Sequence, residues 1–253
     1  MLRIPRKRLV AISVALLGAI IGLGWAMRDN NAKDGVAVVE LFTSEGCSSC
    51  PPADTLLATL LKERRDRVYL LAFHVDYWDT PRWKDAFSDA NFSGRQQEYA
   101  KASGSRDVYT PQMTVNGRGG FVGSDEEVAR KEIAAALKKS PSVLEVVAKV
   151  SEAQVSVNCT MSRAGVGKTL NVALVQRGIE RKIGGGENGG RVLRHENVVR
   201  AFESVTTVGS PTNVKLAIPP DAVVEKCSVI AYVQDKSMHV LGAGGVDLAP
   251  QHK

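Results

Sequence analysis

Two cysteines separated by two serines, Cys47-Ser48-Ser49-Cys50, are the residues of this chain with the clearest chemistry. They follow a short apolar segment at 36–42 and precede a segment at 54–64 with the composition of a helix. N–H groups at a helix start stabilise a cysteine thiolate, which is the reactive form. Two cysteines at this spacing can also close a reversible disulfide. The motif predicts Cys47 as the more exposed, nucleophilic thiol and Cys50 as the thiol that resolves a mixed disulfide.

A metal site is the first alternative for this motif. Structural zinc needs four ligands, and the chain offers one CxxC motif, with His74 as a third donor and no fourth in view. A purely structural disulfide would close too short a loop to restrict the unfolded chain much. We therefore predict a redox pair with no metal and no other cofactor. A vestigial or structural pair and the binding of soft Cu(I) by two thiolates remain as alternatives.

Three polar residues near the motif are candidates for handling protons. The carboxylate of Glu45 either disfavours a second negative charge on Cys47 or accepts a proton, and the sequence leaves both interpretations open. His74 and Asp76 lie near the end of an apolar segment at 68–75, which predicts a buried strand. Sites gather at that edge of parallel sheets, so Asp76 is a candidate proton acceptor. For His74 we favour ordinary hydrogen bonding.

Thr110 and Pro111 precede a predicted strand at 112–115 that ends in Val-Asn-Gly. A CxxC motif at a strand–helix junction followed by Thr-Pro before such a strand resembles the thioredoxin superfamily. The resemblance implies a cis Pro111 that faces the CxxC motif, which is chemically sensible because cis peptides are nearly confined to X–Pro bonds. It also implies that Thr110 lies in a groove for an extended substrate peptide. Trp78 is a second groove candidate, with packing as the alternative.

A closer resemblance covers nearly the whole chain after residue 32. The motifs that carry it are Glu40–Asp54, Phe73–Asp79, Arg95-Gln96, Tyr99-Ala100, Tyr109–Gln112, and Gly186–Asn188 followed by Arg191. Together they are similar to an exported bacterial thioredoxin-like family known as domain of unknown function 1223. The resemblance implies a thioredoxin-like fold and a thiol site, and it implies no particular substrate.

The N-terminus predicts export. Arg3, Arg6, Lys7 and Arg8 precede an uncharged run at 9–27, as in a signal peptide. That run is also long enough to span a bilayer. Residues 1–32 are therefore predicted to be a signal peptide or an N-terminal membrane anchor. Both alternatives place the rest of the protein in the periplasm or outside the cell, with the anchor holding it at the inner membrane.

Charge argues against a nucleic-acid partner. The net charge of +6 comes mostly from residues 1–30, which hold five basic side chains and one acidic one. The remaining chain has 28 basic and 26 acidic residues, a net charge of +2. Hydrophobic residues make up 44% of the chain and charged residues 24%, a composition typical of globular proteins.

The pattern of segments divides the chain in two. Strand and helix signals alternate over residues 33–141, which predicts an α/β thioredoxin-like domain, a central mixed sheet with flanking helices. Short apolar segments separated by glycine-rich and polar stretches follow over residues 142–253, which predicts an all-β sandwich-like domain. Pro141 marks the predicted boundary.

Two features of the second half bear on function. Cys159 and Cys227 lie at the ends of predicted strands, and cysteines in an oxidising compartment tend to pair, so we predict a structural disulfide between them. Electron relay from the CxxC motif is the alternative. The segment 184–190 predicts a flexible loop. Polar residues near it, Glu187, Asn188, Arg191 and His195, leave open a loop that binds a partner or ligand.

These observations predict an exported thiol–disulfide oxidoreductase that exchanges disulfides with protein thiols through Cys47 and Cys50. Its partners would be thiols and disulfides of proteins in the periplasm or outside the cell, and a membrane redox protein would fit as electron partner. The principal alternative is a non-catalytic thioredoxin-like module for binding or assembly. Handling of copper is the third.

Overall fold

Thirteen strands and three α-helices form the described part of the chain, which is residues 35–63, 66–139, 142–161, 166–207 and 209–248 of a computed structural model. The helices are α1 (Pro51–Lys62), α2 (Ala90–Ala102) and α3 (Glu126–Leu137). The first strands are β1 (Ala37–Thr43), β2 (Val68–His74), β3 (Gln112–Val115) and β4 (Arg118–Val122). The later strands are β5 (Ser142–Ser151), β6 (Gln154–Met161), β7 (Thr169–Gln176), β8 (Ile179–Lys182), β9 (Val192–His195), β10 (Val198–Thr206), β11 (Thr212–Ala217), β12 (Cys227–Gln234) and β13 (Val240–Asp247).

Eleven of the described strands share one mixed sheet. Its order is β11-β6-β5-β13-β12-β7-β10-β2-β1-β3-β4, while β8 and β9 form a separate antiparallel hairpin. Strand β2 pairs in parallel with both β1 and β10, and β13 pairs in parallel with β5. The other neighbours are antiparallel. The mixed sheet with flanking helices is thus confirmed.

Strand β1 is buried on both faces because it carries apolar side chains at nearly every position. Its side chains at Ala37, Val39 and Leu41 pack with α1 and α3. Those at Val38 and Phe42 point to the other face, where they meet α2 and residues of β7 and β12. A strand covered on both sides holds its C-terminal end in a fixed place, and the CxxC motif begins four residues after that end.

The sheet continues from the first half of the chain into the second. Val198 of β10 lies beside Ala72 of β2, and the N–H of Ala72 donates to the carbonyl oxygen of Asn197 at 2.9 Å. The Asn197 side chain in turn donates to the Leu70 carbonyl at 2.8 Å. Residues 140 and 141, where the boundary was predicted, lie outside the described residues. After them the described chain is all-β apart from a 3₁₀ turn at Val224–Lys226, and most of its strands continue the sheet of the first half. A separate sandwich-like domain stays a prediction.

A buried ion pair joins β1 to α2. Arg95 donates from Nε and Nη2 to the two carboxylate oxygens of Glu40, at 2.7 and 2.9 Å. Its Nη2 also donates to the hydroxyls of Tyr99 and of Tyr232 on β12. Burial opposes the charge of Arg95, but Glu40, Tyr232 and Tyr99 together outweigh burial and raise the pKa of Arg95. Burial also raises the pKa of both tyrosines, which therefore stay protonated.

The predicted N-terminal segment, with its apolar run at 9–27, lies outside the described residues. Among the helices that are described, none is long and apolar enough to cross a bilayer. Export and anchoring stay predictions.

The Glu40–Arg95 pair predicts a large loss of stability when the cation is removed. We expect Arg95→Met to lower the free energy of unfolding by about 3–5 kcal/mol, because Glu40 would be left buried without its partner. Arg130→Met is the matched control: this arginine pairs with Glu63 and Glu126 but is 33% exposed, so we expect a much smaller loss than for Arg95→Met. Urea unfolding measures both, and equal losses would contradict the assigned role of Arg95.

Candidate functional site

The CxxC motif forms the turn between β1 and α1, with a disulfide joining Cys47 to Cys50. Cys50 is the N-cap residue of α1, and its carbonyl oxygen accepts from the N–H groups of Ala53 and Asp54. Pro51 and its successor occupy the first helical positions, where the missing N–H groups cost no helical bond. The predicted strand–turn–helix setting of the motif is therefore present.

Cys47 was expected to be the more exposed cysteine, but neither cysteine reaches solvent. Both Cys47 and Cys50 are 0% exposed, whereas the intervening Ser48 and Ser49 reach solvent. The Ser49 hydroxyl lies 3.3 Å from the Cys47 sulfur. The prediction of an exposed Cys47 was wrong, because a hairpin from a distant part of the chain packs against this turn.

A hairpin from the second half packs against the turn. It comprises β8, β9 and their connecting loop, residues 179–195, and is called the cap hairpin below. The buried side chain of Asn188 donates to the carbonyl oxygens of Cys47 at 2.8 Å and Glu45 at 3.0 Å. Arg191 donates to the Asn188 side-chain oxygen at 2.6 Å. The cap hairpin therefore fixes the backbone before and at the first cysteine.

Glycines allow this close approach. Gly186 has a φ of +69°, and a Cβ there would lie 3.4 Å from the Cα of Gly46. A Cβ on Gly184 would meet the Trp83 ring at 3.0 Å. The predicted flexible loop is thus fitted between the CxxC turn and an aromatic side chain, which explains its run of glycines.

The predicted groove residues lie beside the CxxC motif. The indole N–H of Trp78 donates to the Thr110 hydroxyl at 2.7 Å. The Ser49 hydroxyl lies 3.5 Å from the Thr110 carbonyl oxygen, and the peptide bond from Thr110 to Pro111 is cis. Trp78 also packs on Gly46, where an added Cβ would lie 3.2 Å from the tryptophan Cβ.

Glu45 is fully buried and contacts residues of both halves of the chain. Its Oε1 accepts from Arg181 of β8 at 3.1 Å and lies 3.6 Å from His195 Nε2 of β9. Its Oε2 has no hydrogen-bond partner among the described residues. Of the two predicted proton acceptors, Glu45 is thus the one held in a polar cluster beside the cysteines.

The other predicted acceptor, Asp76, is tied to α2 instead. Its Oδ1 accepts from the Ser93 hydroxyl at 2.5 Å, and its N–H donates to the same hydroxyl at 3.1 Å. None of its described hydrogen bonds goes to either cysteine. Asp76 and Glu45 therefore have different partners: Asp76 bonds to Ser93 of α2, and Glu45 contacts the cap hairpin.

The polar cluster around Glu45 contains His74 and three residues that the sequence did not predict as part of the site: Asp54, Asp85 and His195. Asp85 accepts from His74 Nδ1 at 2.7 Å and from the Glu45 N–H at 2.8 Å. The ring of His195 lies 5.0 Å from that of His74, and its Nδ1 lies 3.9 Å from a carboxylate oxygen of Asp54. These residues come from separate elements, so their spacing in the sequence carried no signal.

Electrostatics distinguishes the members of this cluster. Burial alone would raise the pKa of Asp85, but His74 and two backbone N–H groups lower it to about 2. Burial alone would lower the pKa of His74, but Asp85, Asp54 and Glu45 together outweigh burial and the net shift is upward. Burial raises the pKa of Asp54 against the attraction of His195 and His74. The His74–Asp85 pair is therefore ionic, and Asp54 holds its proton more tightly than an exposed aspartate.

The predicted disulfide between Cys159 and Cys227 is absent, because both are free, buried thiols. Cys159 lies on β6 and Cys227 begins β12, and two strands of the sheet separate these. The Cys227 thiol donates instead to the Val223 carbonyl at 3.2 Å. Burial raises the pKa of Cys159 to about 11 and that of Cys227 above its ordinary value, so both thiols are unreactive.

No group of three or more His, Cys, Asp or Glu side chains within the described ranges is placed to hold a metal ion.

The chain is similar to one protein family and to solved structures. A family model described as "Protein of unknown function (DUF1223)" matches residues 38–234. The crystal structure of protein AGR_C_4864 from Agrobacterium tumefaciens is similar, with 30% identity, a TM-score of 0.66, and coverage of 87% of this chain and 97% of that one. HBP35 of Porphyromonas gingivalis resembles the fold, with 15% identity, a TM-score of 0.58, and coverage of 87% and 78%. The search of curated proteins finds no significant match.

The His74–Asp85 pair predicts a pH-dependent contribution to stability. The raised pKa of His74 means that this contribution is complete below its ordinary value of 6.5 and is lost as pH rises through the higher folded value. We expect His74→Gln to cost about 3 kcal/mol at pH 5–6. The cost should shrink as pH rises above 6.5, which urea unfolding at a series of pH values measures.

His239→Gln is the control for this experiment, since His239 has no ion pair among the described residues and should show little change at any of these pH values. A cost for His74→Gln that stays constant over the whole range would contradict the ionic pair.

Proposed function

The chain belongs to the DUF1223 family, and from this premise we propose that it is an exported thiol–disulfide oxidoreductase built on a thioredoxin-like domain. The observation that carries the proposal is the Cys47–Cys50 disulfide at the start of α1, with Thr110 and Pro111 beside it. A strand, a CxxC turn and a helix in this order, next to the Thr110-Pro111 segment, support the resemblance to the thioredoxin superfamily.

The proposed reaction transfers two electrons through the cysteines. In the oxidising direction, a substrate thiolate attacks Cys47 Sγ, the disulfide breaks, and Cys50 leaves as a thiolate. A second substrate thiolate then attacks the substrate sulfur of the mixed disulfide and expels Cys47. The substrate gains a disulfide and the protein becomes a dithiol. The reducing direction is the reverse sequence, in which Cys50 attacks Cys47 and resolves the mixed disulfide.

The buried cluster supports the proton transfers that this exchange needs. Cys50 leaves as a thiolate, and this sulfur must take up a proton to become neutral in a buried site. Glu45 and Asp54 flank the two cysteines along the chain, and burial raises the pKa of Asp54. We assign Glu45 the role of proton acceptor when the Cys50 thiol loses its proton in the reducing direction, and the protonated Glu45 returns that proton when Cys50 leaves in the oxidising direction, with His195 at 3.6 Å as its neighbour for exchanging a proton.

A substrate peptide would approach beside Ser48 and Ser49, which reach solvent. Thr110 and Trp78 would line one side of that approach. Because both sulfurs are buried, exchange requires a local displacement of the turn or of the cap hairpin. Protein thiols in the periplasm or outside the cell are the proposed substrates, in keeping with the predicted export signal or anchor.

The second candidate function is a binding or assembly module with an inert disulfide. The observation that favours it is the complete burial of both sulfurs, since a catalytic pair must meet its substrate. In that case Cys47 and Cys50 would hold the turn in shape.

Equilibration with glutathione buffers decides between these functions. We expect a reversible two-electron transition, detected by alkylation and mass measurement, in which the number of modified thiols per chain rises by two. The transition should vanish in Cys47→Ser and Cys50→Ser, because neither variant can close the disulfide.

Cys159→Ser is the matched control and should keep the transition, because Cys159 is free and its high pKa makes it unreactive. A wild-type protein that shows no transition in any buffer favours the binding module instead.

A further inference from the structure

We propose that Glu187 of the cap hairpin sets the reactivity of Cys47 by placing an unneutralised carboxylate beside the CxxC turn. The inference rests on the proposed thiol chemistry of Cys47 and adds a positioning residue from the other half of the chain.

A direct contact places Glu187 at the motif. Its Oε2 accepts from the backbone N–H of Ser48, the residue after Cys47, at 3.0 Å. Its neighbour Asn188 is buried and holds the Cys47 carbonyl, so the contact does not depend on an exposed side chain alone. Hydrogen bonds from the side chain and then from the backbone of Ser48 lower the pKa of Glu187, which keeps it ionised at neutral pH.

The charge of Glu187 has no basic partner among the described residues, unlike those of the other ionised groups around the cysteines. Glu45 is paired with Arg181 at 3.1 Å, and Asp85 with His74 at 2.7 Å. Two further titratable groups face this region: Asp54, whose pKa is raised by burial, and His195, which lies between Asp54 and Glu45. Arg191 donates to Asn188 rather than to Glu187.

The consequence for Cys47 follows from its position. A thiolate there would depend on N–H groups at the start of α1, and the N–H of Ser48 already donates to Glu187. The ionised carboxylate that accepts from this N–H brings a negative charge to the residue after Cys47, which further disfavours a thiolate there. Glu187 therefore favours the disulfide over the reduced pair. In balanced form, the disulfide and two molecules of a thiol give the reduced pair and one molecule of that thiol's disulfide, and Glu187 shifts this equilibrium to the left.

The test replaces the charge and keeps the acceptor. Glu187→Gln can still accept from Ser48, so a change measures the charge alone. In the full-length protein at low salt, we expect the equilibrium constant with glutathione to move towards the reduced pair by about three- to tenfold. Tenfold corresponds to about 30 mV. Glu187→Lys should move it further in the same direction. In about 1 M salt the shift should largely disappear, because exposed charges are screened.

Glu180→Gln is the matched control. Glu180 lies on the same cap hairpin and is exposed, but it pairs with Arg194 and has no described contact with the CxxC turn. It should leave the equilibrium constant unchanged. A shift equal to that of Glu187→Gln, or one that persists in 1 M salt, would mean that disturbance of the hairpin and not the charge is responsible, and it would overturn the proposal.

A second measurement separates this inference from the proposed function. In a Cys50→Ser background, the rate of Cys47 alkylation by iodoacetamide is followed against pH. The midpoint reports thiolate formation, and the plateau reports access to the sulfur. We expect Glu187→Gln to lower the midpoint and leave the plateau unchanged. An unchanged midpoint overturns the role of Glu187 even when the wild type shows redox exchange, and a lowered midpoint supports it even when the wild type shows none.

Discussion

The buried ion pair between Glu40 and Arg95 is the interaction on which the arrangement of the molecule depends. Two charges withdrawn from water are tolerated only when each is fully paired and hydrogen bonded. Arg95 meets this demand with Glu40 on β1 and the tyrosine hydroxyls of α2 and β12. Because the partners come from three elements, satisfying the charge forces α2, the first strand and the second half together. The position of the CxxC turn follows from that of β1, because the turn comes directly after this strand.

The candidate site is completed by the second half of the chain. Asn188 holds the carbonyl of Cys47, while Arg181 and His195 surround Glu45. All three belong to the hairpin of β8 and β9. The local strand–turn–helix unit therefore presents the cysteines, and residues more than a hundred positions later determine how far solvent reaches them and which charges they meet.

Sequence reasoning succeeded where the signal was local. The CxxC turn and the apolar strand β2 follow from short patterns with a direct physical cause, whereas the position of Thr110 beside the motif was implied by the resemblance to the thioredoxin superfamily. It failed where the cause lies in distant parts of the chain. The burial of Cys47 arises from a glycine-rich loop whose partner could not be known, and the cluster of Asp54, Asp85 and His195 assembles from separate elements. Cys159 and Cys227 were expected to pair because cysteines in an oxidising compartment tend to do so, but they lie on strands that are not neighbours.

The pairing of β2 with β10 carries a consequence for dissection of the protein. In the whole chain β2 is an interior strand, flanked by β1 on one side and β10 on the other. A fragment cut after residue 141 would turn it into an edge strand with unpaired backbone groups. Leu71 and Phe73, which pack against β7 and β12, would lose their cover as well. Long apolar edges recruit other chains, so such a fragment would tend to aggregate.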